Sequence, residues 1–279
     1  MKLAVLSDIH GNWPGLQTVV DHIERWQPDA VVVAGDVINR GPNSAKCWDF
    51  VRQRQCDSGW QLVLGNHEEY IIAQSKPDAV RVGVQFDLHR PSFWVYEQLG
   101  YDVSAIETLP FKLELATPDC AVIRITHASM LGTRDGIYRF TTNDDLPARI
   151  GEPMPSLFVV GHTHQPLVRS LGDTLVVNAG AVGMPFDGDP RLSYAQLTWL
   201  QGCWHSEIIR LDYDHAQAER DFTETGFLDG GGPLTRIMLR ELQVASGRLY
   251  TFFKQYEQSI IRGEITLEWA VQTFLEQDK

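Results

Sequence analysis

Short apolar runs recur along the chain, and each breaks off into a polar stretch. Leu3–Leu6 runs into Ser7-Asp8-Ile9-His10-Gly11-Asn12, and Ala30–Ala34 runs into Gly35-Asp36-Val37-Ile38-Asn39-Arg40-Gly41-Pro42. The second run has no polar alternation, which predicts a strand covered on both faces, as in a sheet sandwiched by helices. Trp60–Leu64 leads into Gly65-Asn66-His67-Glu68-Glu69, Ala121–Thr126 into His127-Ala128-Ser129, and Ser156–Val160 into Gly161-His162-Thr163-His164. Phe111–Leu115 alternates, Leu175–Val177 is a further strand, and Tyr194–Leu200 with Cys203–Leu211 reads as a hairpin around Gln201-Gly202. Helical periodicity marks Trp13–Trp26, where Leu16, Val19, Val20 and Ile23 share a face.

Two stretches depart from this rhythm. From Glu69 to about Pro110, apolar residues including Ile71, Ile72, Phe86, Phe93, Trp94 and Tyr96 predict two or three helices, an insertion packed over the sheet edge. After the breaker cluster Asp229-Gly230-Gly231-Gly232-Pro233, the spacing of Leu234, Ile237, Met238, Leu242, Leu249, Phe252, Phe253 and Tyr256 is helical, and a second helix runs from about Glu264. The expected organisation is a domain over 1–228, with the insertion at about 69–110, and a C-terminal helical hairpin over 229–279. That hairpin either docks on the core or forms a homodimer contact.

Composition narrows the function. The formal net charge of -12 argues against a broad surface for duplex nucleic acid. Cys47, Cys56, Cys120 and Cys203 form no CxxC pair, so they read as reduced thiols of a cytoplasmic protein. The early acidic and polar residues do not suit a signal peptide, and no apolar run is long enough to span a membrane.

The chemistry lies in the polar stretches. Asp8, His10, Asp36, Asn66, His127, His162 and His164 each sit where an apolar strand meets a loop: seven ligand-type residues at five strand ends. Asp8 and His10, like His162 and His164, are two apart, so in extended backbone each pair points one way. Carboxylates, imidazoles and an amide oxygen suit Mn²⁺, Fe²⁺, Ni²⁺, Co²⁺ or Zn²⁺, with Mn²⁺ the leading expectation. With no cysteine in the set, a structural zinc site is disfavoured. A set this large fits two metals better than one, with Asp36 the natural bridge. Two such ions lower the pKa of a shared water, supplying a bridging hydroxide, and neutralise charge building on a phosphoryl group. Asn12 is open to two readings, a cap of the first helix or a phosphate contact at its N-terminus.

Taken in order, Asp8-x-His10, Gly35-Asp36, Gly65-Asn66-His67-Glu68, His127 and Gly161-His162-x-His164 resemble the metal motifs of the calcineurin-like metallophosphoesterases. The resemblance implies an α+β fold, a four-layer αββα sandwich of two mixed β-sheets flanked by helices. It also implies that Asp8, His10 and His164 hold one divalent metal, that Asn66, His127 and His162 hold the other, and that Asp36 bridges. His67 would be the general acid or transition-state donor, and Arg40 would hold a phosphate oxygen, with Asn12 and Asn39 nearby. Asp36-x-x-x-Arg40-Gly41-Pro42 looks like the loop of Ser/Thr protein phosphatases and diadenosine-tetraphosphate hydrolases. Those phosphatases carry an aspartate where this chain has Asn39, which can orient His67 by a hydrogen bond but not by charge. A less basic His67 is therefore expected, with a preference for good leaving groups. The expected substrate is a small phosphomonoester or phosphodiester, with a nucleotide or dinucleoside polyphosphate foremost, because Arg40 would lie beside the metals and the insertion aromatics Phe86, Phe93, Trp94 and Tyr96 offer rings on which a base could stack, although such rings more often belong to a core. Alternatives are a DNA nuclease of the same superfamily and a non-catalytic binding scaffold.

Overall fold

The computed structural model describes residues 1–278. The elements in order are β1 (Lys2–Leu6), α1 (Trp13–Trp26), β2 (Ala30–Val33), α2 (Ser44–Ser58), β3 (Gln61–Leu62), α3 (Asn66–Gln74), α4 (Gly83–Gln98), α5 (Ser104–Glu107), β4 (Lys112–Ala116) and β5 (Val122–Thr126). There follow α6 (Leu146–Ile150), β6 (Leu157–Val160), β7 (Leu167–Leu171), β8 (Thr174–Asn178), β9 (Leu192–Leu200), β10 (Cys203–Leu211), α7 (His215–Glu224), α8 (Phe227–Gly230), α9 (Leu234–Val244), α10 (Leu249–Ile261) and α11 (Leu267–Gln277).

Ten strands form two mixed sheets, ordered β10-β9-β1-β2-β3 and β4-β5-β6-β8-β7. Parallel strands β1, β2 and β3 lie together, as do β5, β6 and β8. Antiparallel strands close each sheet: β9 and β10 on one side of the first, β4 and β7 at the edges of the second. Alternation along the buried strands explains the layers. Leu3, Val5 and Val32 meet Ile123, Ile125, Val159 and Val177 between the sheets. Their neighbours Ala4, Leu6, Val31 and Val33 pack outward with Leu16, Val19 and Val51 of α1 and α2. On the far side Phe158, Val160 and Val176 pack with Leu146 and Ile150 of α6. Strands that face apolar groups on both sides have no polar alternation to show, which is the expected αββα arrangement.

Several elements differ from the sequence reading. The third strand is shorter than expected, Gln61–Leu62 at the edge of its sheet, with the Val63 N–H still bonded to Val33 O at 3.1 Å. Strand β7 and helices α2 and α7 are additional; in α2 only Ser44, Cys47, Trp48 and Val51 are buried, too few for a visible apolar stripe. The tail folds as three helices rather than a hairpin. Ala245 takes a left-handed conformation (φ 49°) and closes α9, so the periodic run from Leu234 to Tyr256 is split in two. These helices share a core with the insertion: Leu88 of α4 packs with Leu234, Ile237, Phe252, Leu267 and Phe274. No helix among the described residues is long and apolar enough to cross a membrane.

Candidate metal centre

The seven ligand-type residues converge at the strand ends, five of them (Asp8, His10, Asp36, His162 and His164) through left-handed rather than extended backbone, as do Asn39 and Arg40. Asp8, His10, Asp36, Asn39, Arg40, His162 and His164 all have φ between 48° and 70°. They are seven of the twelve non-glycine residues of the described chain in the left-handed region. That conformation costs about 1–2 kcal/mol per L-residue. Its concentration here marks a site whose geometry is imposed by the surrounding fold. The two-residue spacings therefore work through tight turns rather than through the alternation of a strand.

Each carboxylate has one oxygen tied down and one aimed inward. Asp36 Oδ1 accepts the backbone N–H of His67 at 2.9 Å, while Oδ2 lies 3.3 Å from His127 Nε2 and 3.7 Å from His10 Nε2. Asp8 Oδ2 accepts the N–H of His162 at 2.9 Å. Asp8 Oδ1 is buried without a hydrogen-bond partner, 3.2 Å from His164 Nε2. The imidazoles are oriented as ligands. Nδ1 of His127, His164 and His10 faces the backbone carbonyls of Ala34, Met184 and Asn39, which places the ring proton there and leaves each Nε2 lone pair free. Backbone carbonyls of this kind hold metal-ligating histidines in one tautomer.

The donors form two groups. Asp8 Oδ1, His10 Nε2 and His164 Nε2 form one, with the two imidazole nitrogens 3.1 Å apart. Asn66 Oδ1, His127 Nε2 and His162 Nδ1 form the other, with separations of 2.9 to 3.3 Å. Ligands held at ~2.0–2.2 Å from a common ion stand about this far apart. Asp36 Oδ2 faces one imidazole of each group. An orphaned buried carboxylate oxygen and imidazole nitrogens pressed against one another are poor arrangements for a protein alone. Divalent cations resolve both, so the residues fit a metal pair.

Without cations the charges lean on one another. Burial raises the Asp36 carboxyl, but the His127 and His67 imidazoles outweigh it and hold it well below the usual range. Burial likewise opposes the charge of His127, yet Asp36 pushes it up to about 10. Burial drives His67 down to about 3, against the pull of Asp36 and with Arg40 adding to the fall. Burial, not the identity of residue 39, is what holds His67 low.

Around the centre, some readings change. Asn12 is a helix cap: its Oδ1 accepts the Gly15 N–H at 2.9 Å and its Nδ2 donates to Gly183 O at 2.8 Å. Both ends are spent, which removes it as a phosphate contact. Asn39 does not orient His67; its Nδ2 donates to Ser92 Oγ and its Oδ1 accepts the Arg40 N–H. His67 Nδ1 is buried with no partner. Arg40 is buried and paired with Glu241 at 2.5 Å, its guanidinium 5.2 Å from the Phe186 ring and its Nε unpartnered.

Two functional carboxylates escaped the sequence reading. Glu68 is fully buried and accepts N–H groups from Asp36 and Val37 at 2.8 Å and from Gly65 at 3.0 Å, latching the Asp36 turn to the start of α3. Its place three residues after the N-cap Gly65 was the available signal, a capping-box position. Glu241 had none, since its partner Arg40 is 201 residues away.

Comparison with known proteins agrees with this geometry. The phosphodiesterase YfcE of Escherichia coli K12 is 25% identical over 197 residues, covering 71% of this chain and 87% of its own. A symmetrical bis(5'-nucleosyl)-tetraphosphatase of Erwinia tasmaniensis is 34% identical over 74 residues, only 26% of each chain. The crystal structure of a metallophosphoesterase from Sphaerobacter thermophilus superposes with a TM-score of 0.67 at 22% identity, covering 88% of this chain and all of that one, and so shares the fold. The family model for the calcineurin-like phosphoesterase superfamily domain matches residues 1–202, which hold both sheets almost entirely and all seven ligand-type residues, and the chain therefore belongs to that superfamily.

Proposed function

We propose that this chain is a phosphoric ester hydrolase with a dinuclear centre. In it Asp8, His10 and His164 hold one divalent ion, Asn66, His127 and His162 hold the other, and Asp36 Oδ2 is shared. The observation that carries this reading is the pair of donor groups meeting at one carboxylate oxygen whose partner oxygen is already taken by the His67 N–H. Mixed carboxylate, amide and imidazole donors suit Mn²⁺, Fe²⁺, Ni²⁺, Co²⁺ or Zn²⁺, and Mn²⁺ is the ion proposed here. Such a pair, when bound, supplies an activated water and neutralises phosphoryl charge.

The chain's own residues then do the rest. His67 is neutral in this setting, so it donates an N–H hydrogen bond to the phosphoryl or leaving oxygen more readily than it delivers a proton. That favours esters of acidic alcohols. Arg40 presents a buried guanidinium fixed on one side by Glu241, with Nε free for a phosphate oxygen. Its four cysteines are unpaired, which supports a reducing compartment, the cytoplasm.

The test is hydrolysis of p-nitrophenyl phosphate and its bis ester by protein reconstituted with Mn²⁺. Activity that collapses in Asp36→Asn and falls in His67→Ala is expected, and the ratio of the two substrates distinguishes mono- from diesterase preference. Metal-loaded protein inactive on both esters, and on a broad panel of nucleotides, would refute the assignment.

A further inference from the structure

A cavity of about 240 Å³ opens beside His67 and Asn39. Apart from the Tyr70 ring of α3, its apolar walls come from two segments that supply none of the candidate ligands. Helix α4 gives Leu88 and Pro91, and the C-terminal helices with their leading turns give Leu234, Met238, Leu249 and Phe253. The second segment lies outside the part of the chain matched by the family model. The shared core of α4 with α9, α10 and α11 holds these walls together.

Size and charge limit what enters. The cavity is about one and a half times the ~150 Å³ apolar void that accepts a benzene ring. It falls short of the ~300 Å³ at which pockets for drug-sized ligands begin. One mono- or bicyclic group fits. Among the described residues no lysine or arginine lines it; its imidazoles are those of His67 and His89, and the carboxylate of Glu257 also faces it. The guanidinium of Arg40 is already paired with Glu241. A second anionic group lodged here would meet no permanent cation and would face Glu257.

We propose that this cavity is the subsite for the organic arm of the substrate, and that it selects phosphate esters of one uncharged, ring-bearing alcohol with no second phosphate. The proposal rests on the phosphoesterase reading above and sharpens it. It turns away from dinucleoside polyphosphates, whose further phosphates would meet no lysine or arginine among the described lining residues and would face Glu257. It also replaces the expectation that Phe86, Phe93, Trp94 and Tyr96 stack a base. Phe86 and Trp94 are buried, and none of the four lines the cavity.

Three variants test it, Met238→Trp and Leu249→Trp to fill the cavity and Glu257→Gln to remove its charge. Mn²⁺-loaded protein is assayed on 1-naphthyl phosphate, on a ring-sulfonated 1-naphthyl phosphate, and on acetyl phosphate, which has no ring. In parallel, 1-naphthol is titrated into metal-free protein. Each tryptophan should raise KM for 1-naphthyl phosphate at least tenfold, leave acetyl phosphate within twofold, and abolish 1-naphthol binding. Glu257→Gln should raise kcat/KM for the sulfonated ester at least fivefold relative to its parent. Glu257 is a half-buried polar side chain, so this variant keeps the fold and decides the matter if the tryptophan variants do not fold. The proposal is overturned if wild type accepts the sulfonated ester as well as its parent, or if filling the cavity affects acetyl phosphate equally. If no metal-loaded protein hydrolyses anything, the phosphoesterase reading fails by itself. The 1-naphthol titration still settles whether the cavity is a ring site.

Discussion

Replacing Glu241 by alanine probes how far the C-terminal helices reach into the loop that follows β2 and carries Asp36 and Arg40. Glu241 is fully buried, and its two oxygens serve different elements. Oε2 holds the Arg40 guanidinium at 2.5 Å, and Oε1 accepts the N–H groups of Arg248 at 2.6 Å and Leu249 at 2.8 Å, the first donors of α10. Both charged side chains are almost fully excluded from water, 11% exposed for Arg40 and 1% for Glu241. Removing one partner of a buried pair costs about 3–5 kcal/mol, because the other charge is left uncompensated. At roughly 2–4 °C per kcal/mol for a chain of this size, the melting temperature should fall by about 6–20 °C. Thermal unfolding followed by circular dichroism measures this. A double-mutant cycle with Arg40→Ala isolates the pair: the double variant should be clearly less destabilised than the sum of the single ones. If Glu241→Ala melts within 2 °C of wild type, or the two changes simply add, Arg40 does not depend on Glu241.

Other perturbations follow from the same contacts. Gly65→Ala would place a Cβ 2.1 Å from Asp36 Oδ1 and 2.5 Å from its backbone nitrogen, so Asp36 must shift; at least tenfold weaker Mn²⁺ binding by titration calorimetry is expected. Glu68→Gln puts an amide N–H₂ against two of the backbone donors that the carboxylate accepts, Asp36 and Gly65 or Val37 and Ile38. At about 1–3 kcal/mol per buried unsatisfied donor, chemical unfolding should register at least 1 kcal/mol of lost stability. Chelation of metal-loaded protein should lower the melting temperature, since an ion at a hundred times its Kd contributes about 2.7 kcal/mol; a melting curve unchanged by chelator would contradict a folded-state metal site.

Much of the site was legible because strand ends are. An apolar run that breaks into a ligand-type side chain recurs at five places, three of them through a glycine (Gly35, Gly65 and Gly161), and the sheets bring those places together. The conformations at the junctions were not legible. Asp8 and His10 look like alternate positions of a strand, yet both turn left-handed, under hydrogen bonds from His10 N to Asp36 O and from Asp8 N to Gly35 O. Those bonds join segments that local sequence cannot relate. Asn39 was read from its neighbour in the loop, but its partner Ser92 comes from α4. The insertion aromatics looked like a base platform because their side-chain type is the same in a core and in a binding wall. Helix α2 was invisible to periodicity, since much of its surface is charged and solvated.

Counting ions decides whether the two donor groups hold a metal pair. Protein equilibrated with Mn²⁺ and freed of excess should carry two ions per chain by elemental analysis, and its paramagnetic resonance spectrum should show an exchange-coupled pair. His127→Ala, which removes a donor from one group only, should leave about one uncoupled ion. A single ion in wild-type protein, or two uncoupled ions unaffected by His127→Ala, would contradict the shared centre at Asp36.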